Sequence, residues 1–120
     1  MLNLDTHIVV AILEGTLTTR EESLTKKANL LISDIVLWEL AMLVQRDRVR
    51  LDMDSVEFRR SLRFFTVVPI TLEIARQSVT LDFKSDPADE IIAATSIIEN
   101  IPLLTRDRKI LKSKIVPFAA

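Results

Sequence analysis

The sequence predicts an α/β domain built around a parallel sheet, and three observations predict it. Short apolar runs alternate with longer amphipathic ones from end to end, which is the pattern of βαβ units. The short runs at 1–4, 29–32, 66–68 and 102–105 have strand length, while the segments between them repeat apolar residues at helical spacing. The 120 residues include one Gly, four Pro and no Cys, so a single domain spanning 1–120 is expected, without linker, repeat or disulfide framework. A chain of that length buries roughly two thirds of its unfolded surface and can build its own core.

Each element has a local reason. After the strand at 1–4, Thr6 is placed to cap a helix over 6–13 whose apolar face is Ile8, Val9, Ile12 and Leu13. Gly15, the only glycine, ends it. A helix over about 20–28 follows, because Thr18 with Glu21, or Thr19 with Glu22, makes a capping box. The strand at 29–32 leads through Ser33-Asp34 into a helix to about Gln45. Residues 52–65 read as a helix with Phe58, Leu62 and Phe65 on one face. The β-branched run 66–68 is stopped by Pro69, and 72–81 returns to helical spacing. Asp86-Pro87 opens a helix to about Glu99, since Asp caps and Pro suits the first helical position, and Asn100 suits a left-handed cap. A strand at 102–105, a helical turn over 106–111 and a last strand at 114–117 complete the chain.

Composition excludes several chemistries. Without Cys and with one His, zinc fingers, Fe–S clusters, thiol nucleophiles and a two-histidine nuclease all lack their groups. Sixteen Lys+Arg against seventeen Asp+Glu leave a formal charge of −1, so any nucleic-acid binding has to be local. The longest stretch without a charge, 64–72, is nine residues, far short of the roughly twenty of a membrane span. No basic segment precedes an apolar one at the start, and a cytoplasmic location is expected. The mean hydropathy of +0.26 fits either a dense core or an apolar surface kept for a partner.

Four carboxylates stand where an α/β fold puts its active site. Asp5 ends the first strand and Asp107 follows the strand at 102–105, at the carboxyl edge where open parallel sheets bind ligands. Asp89 lies in the first turn of its helix. Glu39 is the most informative, for it is the one carboxylate among nine apolar residues in 35–44, and Glu is rarely buried unless paired or on a metal. Each has a structural alternative: Asp5 as a helix cap, Asp89 completing a cap with Asp86, Asp107 facing a helix dipole, Glu39 paired with an Arg. Together at one edge they would repel unless a cation shared them, and an all-oxygen set favours Mg²⁺ or Mn²⁺. Arg106, Arg108, Lys109, Lys112 and Lys114 put five bases in nine residues and are candidate RNA contacts, or a solvated face. Arg46, Arg48 and Arg50 form a second cluster. Trp38, beside Glu39, reads as core rather than as a base-stacking platform, and the Phe residues read as core.

Leu4-Asp5-Thr6-His7, the block from Ser33 to Leu40, Asp86-Pro87-Ala88-Asp89-Glu90-Ile91-Ile92-Ala93-Ala94 and Pro102-Leu103-Leu104-Thr105-Arg106-Asp107 resemble, in order and spacing, the four acidic motifs of PIN-domain nucleases of the VapC-type toxin branch. The resemblance implies a three-layer fold, with a parallel sheet of about five strands in order 3-2-1-4-5 and helices on both faces. It also implies a Mg²⁺- or Mn²⁺-dependent endoribonuclease, a homodimer, and inhibition by a cognate VapB-type antitoxin. Carried over, Asp5, Glu39, Asp89 and Asp107 are the catalytic and metal-binding positions, supported by Thr105 and Thr6, with Arg106, Arg108 and Lys109 on RNA. His7 matches a common residue of the branch and is expected to orient Asp5 or to pack. Glu90 departs from the pattern, since many relatives carry Arg after the third acid; this makes the groove more acidic. The implied reaction is water attack that leaves a 5′-phosphate and a 3′-hydroxyl.

Two other readings compete with this one. A phosphoacceptor receiver domain needs paired acids after strand one, an Asp after strand three and a Lys after strand five. This chain offers a lone Asp5, Val67-Val68-Pro69 and no Lys-Pro pair. A PIN-like RNA-processing nuclease, or an RNA- or partner-binding domain without a toxin role, keeps all four acids and is separated from the first reading by assay alone.

Overall fold

In the computed structural model, which describes residues 1–119, four parallel strands form one sheet in the order β3-β2-β1-β4. The elements are β1 (Leu2–Leu4), α1 (Thr6–Glu14), α2 (Thr19–Lys26), β2 (Leu30–Ser33), α3 (Ile35–Gln45), α4 (Val56–Ser61), β3 (Phe65–Val68), α5 (Leu72–Ser78), α6 (Pro87–Glu99), β4 (Leu103–Leu104) and α7 (Arg108–Leu111). Register is set by apolar pairs: Leu2 faces Leu30, Leu4 faces Leu104, and four residues of β2 face Phe65 to Val68. Strand order runs outward from β1 in both directions. The carboxyl ends of β1 and β4 therefore flank the switch point of the sheet.

The caps explain the boundaries. Thr18 and Glu21 close the expected capping box, and Thr71 and Ser55 cap α5 and α4. Gly15 and Asn100 take the left-handed conformation that ends α1 and α6. Asp47 also has positive φ, just beyond the end of α3, a stop the sequence reading did not identify. The cap of α1 is Asp5, whose carboxylate accepts from the Thr6 amide at 2.8 Å; Thr6 is the first helical residue.

Three expectations are corrected. The helix expected over 52–65 is only the six residues of α4 plus a 3-10 turn at Leu62–Phe64. Asp52 is spent on a turn, with its carboxylate accepting from the Asp54 amide and its carbonyl from the Ser55 hydroxyl. The strand expected at 114–117 is a single parallel bridge between Leu103 and Phe118. It lies beside β4, where a fifth strand belongs, and is held by the Leu103 amide on the Pro117 carbonyl and the Ala119 amide on the Leu103 carbonyl. Bending at 114–116 prevents a longer ladder, because Ser113 accepts from the amides of Ile115 and Val116. Finally, neither Trp38 (54% exposed) nor Phe64 (77%) is core, although Phe58 and Phe65 are.

The core joins both faces of the sheet. Leu2 and Leu4 point to one face, while Asn3 points to the other and meets α6, as alternation along a strand requires. Val36 and Leu40 of α3, Ile8 and Val9 of α1, and Ile92 and Ala93 of α6 complete it. No helix among the described residues is long and apolar enough to cross a membrane.

Candidate active site

Asp5, at the end of β1, is 2% exposed. Both its oxygens are engaged: Oδ1 by the Thr6 amide at 2.8 Å, and Oδ2 by the Thr105 hydroxyl at 2.6 Å. Thr105 follows β4, so the hydroxyl arrives from the neighbouring strand across the switch point. Glu39 projects from the second turn of α3 and accepts a short hydrogen bond from the Thr6 hydroxyl on Oε1. Asp89 comes from the first turn of α6 and accepts from the Ser85 hydroxyl at 2.8 Å on Oδ2. One oxygen each from Asp5, Glu39 and Asp89 lies within 4.8 Å of the others.

No lysine or arginine among the described residues pairs with these three charges, and the exposed His7 lends only a partial counter-charge to Asp5 and Glu39. The ion pairs among the described residues, Lys26–Glu22 and Arg106–Glu21, involve none of them. Burial therefore raises the pKa of all three. Asp5 and Glu39 are pushed up by desolvation, partly offset by their threonine hydrogen bonds. Asp89 rises to about 6, mainly through desolvation, with the charges of Asp5, Glu39 and Asp107 adding to it. Three oxygen donors without a salt-bridge partner, with Glu39 Oε2 and Asp89 Oδ1 accepting no hydrogen bond among the described residues, fit a hard divalent cation.

Asp107 stands apart from the three. Its carboxylate caps α7, accepting from the amides of Lys109 at 2.8 Å and Ile110 at 3.4 Å, while its own amide donates to the Thr105 hydroxyl. Its charge is nonetheless felt at both Asp5 and Asp89. Asp86 does not cap with its side chain, and Asp89 bonds Ser85 instead, so no Asp86–Asp89 capping pair forms. Glu90 turns away to the Ser85 amide at 3.3 Å. His7 is exposed on the rim, in a cleft with Glu14, Thr16, Arg106 and Asp107, and it is Thr6 and Thr105 that orient Asp5. Arg108 and Lys109 are exposed.

Three positioning residues escaped the sequence reading. Asn3 is fully buried and donates through Nδ2 to the Ile92 carbonyl at 3.1 Å and the Ser96 hydroxyl at 2.9 Å. These acceptors lie on the stripe of α6 that begins at Asp89, so Asn3 sets the register of Asp89 against Asp5. The signal was a lone amide in the apolar strand Leu2-Asn3-Leu4. Ser85 holds Asp89, and its signal was a hydroxyl just ahead of Asp86-Pro87. Glu21, buried inside its capping box, takes both Arg106 Nε at 2.7 Å and Nη2 at 2.6 Å. Arg106 is thus committed to pinning α2 to the loop between Thr105 and Asp107.

The Glu21–Arg106 pair gives a stability prediction. The Arg106 hydrogen bonds hold Glu21 at a pKa of about 2, below its usual 4.5. Its stabilisation is present above pH 4.5 and is lost as pH falls toward 2. Glu21→Gln should cost about 1–3 kcal/mol at neutral pH, the range for hydrogen bonds to charged groups, with Arg106 partly exposed. Urea unfolding at pH 7 and near pH 3 checks this, with a smaller deficit expected at the lower pH.

The comparisons bear on the same residues. A family model described as PIN domain matches residues 3–114. The chain is 33% identical over 84 residues to Ribonuclease VapC22 of Mycobacterium tuberculosis, covering 68% of this chain and 65% of that relative, just under two thirds of its length. Among solved structures, a toxin–antitoxin complex from Klebsiella pneumoniae superposes with TM-score 0.72 at 22% identity, covering 93% of this chain and 91% of that one. FitAcB from Neisseria gonorrhoeae gives 0.71 at 18%, covering 99% and 97%. VapBC2 from Rickettsia felis, bound to a DNA fragment from its promoter, gives 0.71 at 20%, covering 99% and 98%. At these identities the structures speak for the fold. The family match takes in Asp5, Glu39, Asp89 and Asp107 in order, and the chain belongs to the PIN domain family.

Proposed function

We propose that the chain is a Mg²⁺- or Mn²⁺-dependent endoribonuclease that cleaves single-stranded or looped RNA, the toxin of a toxin–antitoxin pair. The observation that carries this reading is the convergence of Asp5, Glu39 and Asp89 within 4.8 Å at the switch point of the sheet, with no salt-bridge partner among the described residues. The relative's name, ribonuclease, and the toxin–antitoxin neighbours support it.

In this reading Asp5, Glu39 and Asp89 hold the ion, and Asp107 contributes charge from its cap. Held by these residues, a divalent cation would supply activation of a water and charge neutralisation at the scissile phosphate. The chain's own contribution is preorganisation. The Thr105 hydroxyl and the Thr6 amide fix the Asp5 carboxylate, the Thr6 hydroxyl fixes Glu39, and Ser85 fixes Asp89. The raised carboxyls release their protons as the cation binds, so metal affinity rises with pH through the range near 6 set by Asp89. No side-chain nucleophile is used, in keeping with a chain that has no Cys and one exposed His. Arg108 and Lys109 are exposed bases beside Asp107 that, unlike Arg106, are in neither ion pair found among the described residues, and they are assigned to phosphate contacts.

The partner is assigned by charge. An antitoxin segment that places an Arg or Lys among three uncompensated carboxylates replaces the cation and inhibits directly. Incubating total RNA with the purified chain and Mg²⁺ or Mn²⁺, alone or in complex with the product of the neighbouring reading frame, tests both parts. Fragments with 5′-phosphate and 3′-hydroxyl ends are expected from the free chain, with little cleavage by the complex. Ends bearing a 2′,3′-cyclic phosphate would overturn the water-attack reading, and equal cleavage by the complex would overturn the inhibitory one.

A further inference from the structure

The mostly apolar helix α3 buries only Val36 and Leu40 fully, and leaves Trp38 54% exposed next to Glu39. A cleft of about 310 Å³ runs along that side, walled by Trp38, Met42 and Leu43 of α3, by Arg46 just past its end, and by Asp86 and Pro87 at the start of α6. Glu39 belongs to both the cleft and the acid cluster, so the cleft opens directly from the site. At its far end stands Arg46, about 10 Å along the helix from Glu39 at 1.5 Å per residue. Arg46 is in neither ion pair found among the described residues. A flat indole, the apolar Met42 and Leu43, and a guanidinium in no ion pair among the described residues match the faces and linkages of a nucleotide strand, with the Asp86 carboxylate on the α6 side of the cleft.

We propose that Trp38 is the stacking platform for a nucleobase of single-stranded RNA next to the cleaved phosphodiester, with Arg46 taking a backbone phosphate. The proposal rests on the ribonuclease reading and deepens it by assigning a base subsite. Unpaired bases are commonly held by stacking on aromatic side chains, and each such stack is worth about 1–3 kcal/mol. Duplex RNA keeps its bases stacked on each other and cannot offer a face to Trp38. The platform therefore selects single-stranded substrate without reading a particular base. An exposed Trp in a cleft is also what a protein interface can present, but the unpaired cation and the opening onto the acid cluster favour RNA.

Trp38 is the only tryptophan, and the chain has no Tyr, so intrinsic fluorescence reports on this residue alone. The intact protein, kept in EDTA to hold substrate uncleaved, is titrated with a mixed-sequence single-stranded RNA and then with its duplex. Saturable quenching by the single strand, and none by the duplex, is expected. With Mn²⁺ present, Trp38→Ala should raise KM about tenfold or more, with the loss falling on KM rather than kcat, and Trp38→Phe should restore most of it. Arg46→Gln should raise KM and flatten its salt dependence. Cleavage by wild type without quenching would remove Trp38 from RNA binding and leave the ribonuclease reading standing. Quenching without cleavage in any metal would keep the subsite and overturn that reading. Quenching only by the antitoxin, with KM unchanged in Trp38→Ala, would assign the cleft to a protein and overturn the proposal.

Discussion

Glu39→Gln should lower RNA cleavage at least about 100-fold while the protein stays folded. Supporting residues around a metal typically cost 10–100-fold when removed, and a direct ligand costs more. Gln matches Glu in volume and still offers an oxygen to the Thr6 hydroxyl, so the contact between α1 and α3 survives. What disappears is the carboxylate charge and one of the two carboxylate oxygens. The single-turnover rate on a labelled RNA, beside a circular-dichroism melt, separates chemistry from folding. A rate within a few-fold of wild type would take Glu39 out of the site.

The second large effect is on stability. Asp89 has its pKa raised from 3.8 to about 6, so between these values the folded state keeps a proton that the unfolded chain has released. Without metal, stability must fall as pH rises through that window and level off above it, and Asp5 and Glu39, shifted in the same direction, deepen the fall. Asp89→Asn removes one charge and leaves the Ser85 hydroxyl an oxygen acceptor. At pH 7.5 it should be more stable than metal-free wild type by about 1–2 kcal/mol, a value discounted for the solvent that reaches the group. That corresponds to a melting temperature higher by several degrees. Below pH 4 the difference should vanish. Mn²⁺ should raise the wild-type melting temperature with the logarithm of its concentration, and Asp89→Asn should lose most of that rise. Most substitutions destabilise, so a stabilising one at a polar position marks a residue strained for function. Equal metal responses in the two proteins would mean that Asp89 does not hold the ion.

Much of this architecture could be read from local chemistry. Thr18-x-x-Glu21, Asp86-Pro87, Gly15 and Asn100 each set an element boundary through backbone hydrogen bonds or φ alone, and such signals lie within a few residues of one another. Strand order needs more, and here it came from a resemblance over the whole chain. The misreadings share a cause. Apolar patterning marks what avoids water without saying whether the cover is the same chain, so Trp38 and Phe64 read as core although both face outward. The β-branched character of 114–117 promised a strand, but the Ser113 hydroxyl, itself held by Asp82 at 2.6 Å, draws the following amides into a turn. Asp107 reads equally as a member of the acid cluster and as a helix-end acid, and its Oδ1 does cap α7 while its charge still reaches Asp5 and Asp89. Arg106 was counted among bases free for RNA because its partner, Glu21, lies 85 residues away. Contacts of that separation leave no local trace.

If Asp5, Glu39 and Asp89 form one divalent-cation site that cuts RNA, catalysis depends on the ion they hold. The most direct test of that dependence is the cleavage rate of an end-labelled single-stranded RNA by the purified chain, first in EDTA and then across a Mn²⁺ titration. The rate should be negligible in EDTA and recover along a single saturating curve as Mn²⁺ is restored. A rate in EDTA equal to that at saturating Mn²⁺ would contradict that dependence.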